Sequence, residues 1–302
     1  EEKSGRHTIN DNNTTHHKYS MNDLDSELTS YMSICPQVYT SKDGVVHIRL
    51  SSYVALELSC TAYRLINYRN NSTLALSDNG EYGFIYHYNC RGLINLRHKK
   101  ISLAFDKERQ ILLRAEKPSF IKKEKECFRL MANSWAACRP VSMENFDKDK
   151  TPDILKRTSP MKLNEDQKLK EIINSSFIHL EGGNLILYVG DAKVEQKMNG
   201  DVHLNWFHDD KANCMTISPL TGSFSLSTKN LDIIITPKTD IYISFMYFFV
   251  HTSCYQMTVS NGSVTGKCDS FSKENYNNPS RTPSSADMPN MMILDNSKFL
   301  SS

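Results

Sequence analysis

The sequence predicts a mainly β protein made of two disulfide-stapled, β-sandwich-like units that are joined by a Pro-rich, partly helical connection. Short runs in which apolar and polar residues alternate recur at the density that is typical of two-sheet folds. Turn signals separate the runs, and Asp78-Asn79-Gly80 is the clearest of them. Cysteines lie in or beside the runs, where disulfide bonds join strands.

The first half shows the strand pattern from Gly44 onward. Val46, Ile48 and Leu50 alternate with polar residues, which is the period of a half-buried strand. An aromatic run follows the turn at Asp78. On this basis strands are predicted at 46–50, 54–58, 74–76, 82–88, 101–105 and 111–113.

The middle of the chain, residues 121–175, is rich in proline and charge. Asn164, with Gln167 at the capping-box position, precedes the apolar residues Leu169, Ile172 and Ile173, so a short helix is predicted there. This region is interpreted as a linker or insertion. The alternative is a connection inside one large domain.

The second half predicts strands again, with Asn-Gly and Gly-Gly pairs as hairpin turns. The segment 241–250 is apolar at both parities, which predicts a central strand or one covered by a partner. The predicted division is a flexible polar arm (1–30), a first β-sandwich-like domain (31–120), the linker (121–175), a second β-sandwich-like domain (176–270) and a disordered stalk or tail (271–302).

Composition excludes several classes of protein. The 302 residues carry 36 Lys and Arg against 34 Asp and Glu, and this balance argues against a nucleic-acid binder that relies on a global basic field. The most apolar stretch, 231–250, is interrupted by Pro237, Lys238 and Asp240, so no segment is predicted to span a bilayer.

Cysteine usage and the first residue predict the secretory pathway. Glu1 in place of Met is expected after removal of a signal peptide. The eight cysteines contain no CxxC spacing, which favours disulfides over a zinc site, with buried free thiols as the alternative. The predicted disulfide residues are Cys60, Cys90, Cys127, Cys138, Cys254 and Cys268, and the predicted glycosylation sites are Asn13, Asn71, Asn174 and Asn261.

No catalytic, cofactor-binding or metal-binding residue is predicted. His203 and His208 are candidate metal ligands. They differ in strand parity and lie far apart along one strand, so they are not expected to share one ion. The sequence also lacks the GxSxG, HExxH and phosphate-loop motifs. A hydrolase with a site assembled from distant loops stays as a less favoured alternative.

Two recognition surfaces are predicted. Tyr82, Tyr86 and Tyr88 share one parity and form either an exposed aromatic stripe or the rim of a core face. The patch that contains Arg97, Lys99 and Lys100 is expected to bind a sulfated glycan or an acidic partner, or to guard an edge strand.

These patterns together predict an extracellular or cell-surface glycoprotein that binds another protein in adhesion, as a receptor or in recognition. A membrane anchor outside the given chain is compatible with this prediction. The alternative is a secreted decoy or immunomodulator that captures a host ligand.

Overall fold

The structure is a computed structural model that describes residues 36–41, 44–51, 53–105, 109–123, 125–130, 134–156, 174, 176–253 and 256–267. Within these residues the strands form two antiparallel sheets, one of twelve and one of eleven strands, and each sheet follows the order of the chain. The prediction of a mainly β chain is confirmed at this level. Each half of the chain supplies one meander, and the two sheets belong to the same compact unit.

The first sheet comes from the N-terminal half of the described chain. Its strands are β1 (Gln37–Thr40), β2 (Val46–Arg49), β3 (Val54–Leu58), β4 (Ala62–Asn67), β5 (Ser72–Ser77), β6 (Tyr82–His87), β7 (Cys90–Asn95), β8 (Lys100–Ala104), β9 (Arg109–Arg114), β10 (Phe120–Lys123), β11 (Glu126–Leu130) and β12 (Trp135–Cys138).

The second sheet follows the helix α1 (Thr151–Leu155). Its strands are β13 (Phe177–Glu181), β14 (Asn184–Val189), β15 (Ala192–Gln196), β16 (Val202–His208), β17 (Lys211–Ile217), β18 (Phe224–Thr228), β19 (Leu231–Ile235), β20 (Ile241–Phe245), β21 (Phe248–Thr252), β22 (Met257–Ser260) and β23 (Thr265–Lys267).

Two sequence predictions differ from the structure. The first sheet continues through β12, past the boundary predicted at residue 120, because Ile121, Phe128 and Trp135 extend its buried face. The single strand predicted at 241–250 is a hairpin, β20–β21, whose turn is formed by Met246 and Tyr247. This turn reverses the chain, so that Phe248 and Phe245 are paired on the same face.

Both sheets contain buried apolar side chains. Leu65, Leu74 and Ile85 of the first sheet and Leu204 and Leu226 of the second are at most 1% exposed. Rings from the two sheets meet at one end of the strands, where those of Tyr63 and Trp206 lie 4.6 Å apart. The two sheets therefore contact each other through buried aromatic side chains at this end.

Hydrogen bonds connect the sheets at the opposite end of the strands. Asn67 Nδ2 donates to the carbonyl oxygen of Ser218 at 3.3 Å, and His87 Nε2 lies 3.2 Å from that of Gly222. The Arg109 guanidinium donates to the carbonyl oxygen of Ser253 at 2.8 Å. The ends of β4, β6 and β9 in the first sheet thus contact the turns that follow β17 and β21 in the second.

Residues 141–156, here called the strap, cross the outer face of the first sheet. Phe146, Ile154 and Leu155 are buried there in one cluster with Phe84. Arg64 fixes the strap through Asp149 Oδ2 (3.0 Å) and Thr151 Oγ1 (2.7 Å) and also pairs with Glu57 on the sheet (2.7 Å). Strands β4 and β5 are consequently buried on both faces.

Several predictions lie outside the described residues: the arm at 1–30, the helix that starts at Asn164 and the tail at 271–302. The described helix is α1, within the strap. In the described ranges, no helix has the length and apolar character needed to cross a membrane.

His87 makes the stability of the fold depend on pH. Its Nδ1 accepts the Asn89 N–H at 3.2 Å, so Nε2 carries the proton that is donated to Gly222. Burial lowers the pKa of His87 from 6.5 to about 4. Between pH 6.5 and 4 the folded state therefore holds a neutral imidazole while the unfolded chain is protonated at His87. Protonation favours the unfolded state, so the free energy of unfolding falls as the pH falls from 6.5 to 4.

We expect the free energy of unfolding to fall by about 3 kcal/mol over this range because of His87 alone. Urea unfolding of the wild type and of His87→Gln measures the difference: the variant should have a shallower pH dependence. The exposed His98 supplies the control, His98→Gln, which should keep the wild-type slope. Parallel wild-type and His87→Gln profiles would contradict the assignment.

Candidate functional site

A groove lies where turns of both sheets meet at one end of the strands. Its cavity is about 440 Å³. We call it the edge groove, and it is lined by residues 114–119, Arg129, Leu130, Tyr247, Phe248 and Asn261.

The turn between β9 and β10 forms one wall of the edge groove. Ser119 closes this turn, because its hydroxyl accepts the Arg114 N–H at 2.9 Å and donates to the Arg114 carbonyl at 3.2 Å. The Ala115 N–H donates to the carbonyl of Lys99 at 3.1 Å, which ties the wall to the neighbouring β7–β8 turn. The wall is therefore held by its own hydrogen bonds.

The β20–β21 hairpin forms the opposite wall. Met246 has a φ of 56°, and its N–H donates to the Asn230 carbonyl at 3.1 Å. Tyr247 is 46% exposed, and its hydroxyl donates to the carbonyl of Ala115 on the other sheet. The ring of Tyr247 thus bridges the two sheets and presents an aromatic surface to solvent.

Asn261 borders the groove from the β22–β23 turn. Its side-chain oxygen accepts the N–H groups of Ser263 (3.1 Å) and Val264 (2.8 Å), while Gly262 takes the positive φ that the turn requires. The third wall is therefore a turn held by its own asparagine.

The edge groove carries an excess of positive charge. Arg114, Lys117 and Arg129 make no ion pair with any residue that the structure describes. The acidic residue of the lining, Glu116, is paired with Lys99, whose hydrogen bond and charge lower the pKa of the Glu116 carboxyl. Three cations of the lining thus have no ion-pair partner among the described residues.

The predicted basic patch lies beside this groove. Arg97 and Lys99 are exposed in the β7–β8 turn, and Lys100 Nζ is 3.1 Å from Glu144 of the strap. Because β8 lies between β7 and β9, the interpretation of the patch as an edge-strand guard is wrong.

The predicted tyrosines do not line the edge groove. Phe84, on the same face, is fully buried, and Tyr86 packs against the core cluster with the Arg91 guanidinium 4.9 Å above its ring. Tyr82 is half-buried. Tyr88 is 54% exposed, at the opposite end of the strands. The face therefore belongs to the core, with tyrosines at its rim.

The predicted disulfide residues lie in different environments. Cys60 is half-buried in the β3–β4 turn. Cys90 is a fully buried free thiol, and burial raises its pKa to about 12. Cys127 and Cys138 are directly opposite each other on β11 and β12, and both are free thiols. The other two predicted residues, Cys254 and Cys268, lie outside the described part of the chain.

Three predicted glycosylation sites are described. Asn71, with a φ of 51°, and Asn174 are exposed, and Asn261 is half-buried in its turn. Asn13 lies outside the described residues.

The histidines considered as metal ligands lie on β16. His208 pairs with Asp78 at 3.0 Å, and burial lowers the pKa of His203. Across the described ranges, no three His, Cys, Asp or Glu side chains are grouped so as to hold a metal ion.

The sequence did not identify the residues that line the groove, above all Arg114, Arg129 and Tyr247. They come from three separate turns or strand ends, and no local motif connects them. A signal was present only for Lys117, which precedes a proline between two strand patterns.

Comparison with known proteins gives no family. No protein-family model matches the chain, and neither does any curated protein. Among solved structures, the chain is similar to the TCP10 domain of Danio rerio CPAP in complex with a peptide of Danio rerio STIL (10% identity, 70% of this chain, 94% of that chain, TM-score 0.28). It is also similar to the SAS-4 (dCPAP) TCP domain of Drosophila melanogaster in complex with a proline-rich motif of Ana2 (8%, 69%, 88%, 0.19). These TM-scores are too low to assign a fold or a function to this chain.

Proposed function

We propose that the chain is a protein-binding module and that the edge groove receives a segment of its partner. The observation that carries this proposal is the exposed ring of Tyr247 beside Arg114 and Arg129, which have no ion-pair partner among the described residues. Tyr and Arg are the residue types that contribute most to binding energy at interfaces. An open groove of this volume has room for a few side chains of a partner.

The position of the groove supports the same function. Its walls are turns at the end of two packed sheets, and turns on a rigid scaffold are where binding residues concentrate. The Tyr247 hydroxyl and the Ser119 hydrogen bonds hold the walls in place before a partner arrives, which lowers the entropy lost on binding.

An extracellular or cell-surface location, with an adhesion, receptor or recognition role, is part of this proposal. Its support is the exposure of Asn71 and Asn174, because a glycosylation acceptor must be accessible to the transferring enzyme.

Disulfide stapling is also proposed, for the pair Cys127 and Cys138. Directly opposed residues of antiparallel strands have Cα atoms about 4.5–5.5 Å apart, within the range that a disulfide spans. Oxidation would transfer two electrons and two protons from these thiols to a disulfide such as oxidised glutathione. The bond would staple the hairpin that carries Arg129 into the groove.

The staple predicts a defined cross-linked peptide. Protein exported through the secretory pathway should, after alkylation and tryptic digestion without reduction, contain residues 126–129 linked to residues 130–148, because an Arg-Pro bond at 139–140 resists trypsin. Mass spectrometry identifies this species and its loss on reduction. Alkylated Cys127, or Cys127 linked to another cysteine, would contradict the proposal, whereas Cys90, a free thiol, should be alkylated once the protein is denatured.

The binding function is tested by selecting peptides from a displayed random library on the full chain. We expect selected peptides to bind the wild type and to bind Tyr247→Ala at least about 10-fold more weakly, as for loss of an aromatic hot spot. Tyr88→Ala, a matched exposed tyrosine at the opposite end of the strands, should leave the affinity unchanged.

Circular dichroism of both variants verifies that they fold. A selection that enriches no peptide, or peptides that bind Tyr247→Ala as tightly as the wild type, would overturn the proposed groove. Loss of binding in Tyr88→Ala alone would move the site to the turn after β6, where Tyr88 lies.

A further inference from the structure

We infer that the partner segment of the edge groove is acidic and carries an apolar side chain among its carboxylates. The inference rests on the proposed function and specifies its partner. It comes from the charges and apolar groups that the groove brings together from separate parts of the chain.

The cations of the groove are available to a ligand. Arg114, Lys117 and Arg129 have no ion-pair partner among the described residues, and Arg97 is exposed in the turn next to them. The carboxylate of Glu116 is already paired with Lys99. Arginine presents a planar fork of donors that matches a carboxylate, so glutamate or aspartate side chains fit this lining.

The positive charge is local. The whole chain carries only +2, so the excess at the groove does not follow from a basic composition. At the same end of the strands, the turns around β5–β6 and β16–β17 carry instead the acidic residues Asp78, Asp209 and Asp210. An acidic segment is therefore attracted to one part of this end and repelled by the other, which restricts where it docks.

The apolar groups of the lining favour a peptide over a sulfated glycan. Pro118 and the ring of Tyr247 are exposed, and Leu130 is half-exposed beside the cations. A leucine or phenylalanine of a peptide can pack against them, whereas a sulfated glycan supplies charge without an apolar side chain.

The test uses a short fluorescein-labelled peptide in which glutamates surround one leucine and one phenylalanine, and a matched peptide with glutamines. Fluorescence anisotropy with the full chain should show binding of the glutamate peptide, weakened by salt, and at least about 10-fold weaker binding of the glutamine peptide. Arg129→Gln and Lys117→Gln should each weaken the glutamate peptide several-fold. Arg49→Gln, an exposed cation on β2, should not.

The outcomes separate the inference from the function on which it rests. Equal binding of the two peptides, or affinities unaffected by Arg129→Gln and Lys117→Gln, would overturn the acidic partner. If library peptides that depend on Tyr247 prove neutral or basic, the groove stands as a binding site and the acidic partner fails. A heparin-derived oligosaccharide that binds more tightly than the peptide, and equally well to Tyr247→Ala, would overturn it in favour of a sulfated glycan.

Discussion

The contact between Trp206 and the turn after β5 is the interaction on which the arrangement of the two sheets depends. Trp206 is 1% exposed, and its indole N–H donates to the Asp78 carbonyl at 2.7 Å, while its ring packs on Tyr63. A buried indole without an acceptor would carry a desolvation cost, so this end of the sheets closes in one register. Gly80 allows the approach: a Cβ there would lie 2.4 Å from Asn213 Oδ1.

The edge groove is a consequence of that closure. The Trp206 contact lies at the same end of the strands as the groove, and the hydrogen bonds of Asn67, His87 and Arg109 secure the opposite end. The faces of the two sheets also differ in how far they are covered. The strap and its Arg64 cluster cover part of the first sheet, whereas strands β18–β20 alternate buried and half-exposed residues.

Much of the fold could be predicted because local patterns agree with it. The alternation of Val202, Leu204 and Trp206 identifies the buried face of β16, and the Gly182-Gly183 turn takes the positive φ values that such a hairpin needs. The Met246-Tyr247 turn could not be predicted, since methionine rarely adopts positive φ and the contact with Asn230 that accompanies it is tertiary. The groove depends on both sheets at once, so its residues carry no shared pattern in the sequence.

We propose that the two sheets form one cooperative body and that the end they share receives the partner. Trp135→Phe leaves Trp206 as the only tryptophan of the chain, and Trp135 Nε1 donates no hydrogen bond within the described residues, so none is lost. We would follow urea unfolding of this variant by Trp206 emission and by far-ultraviolet circular dichroism together. If the sheets unfold together, both signals should show one transition with the same midpoint. Trp206 emission that changes at lower urea than the circular dichroism would show that the sheets separate first, and would contradict this proposal.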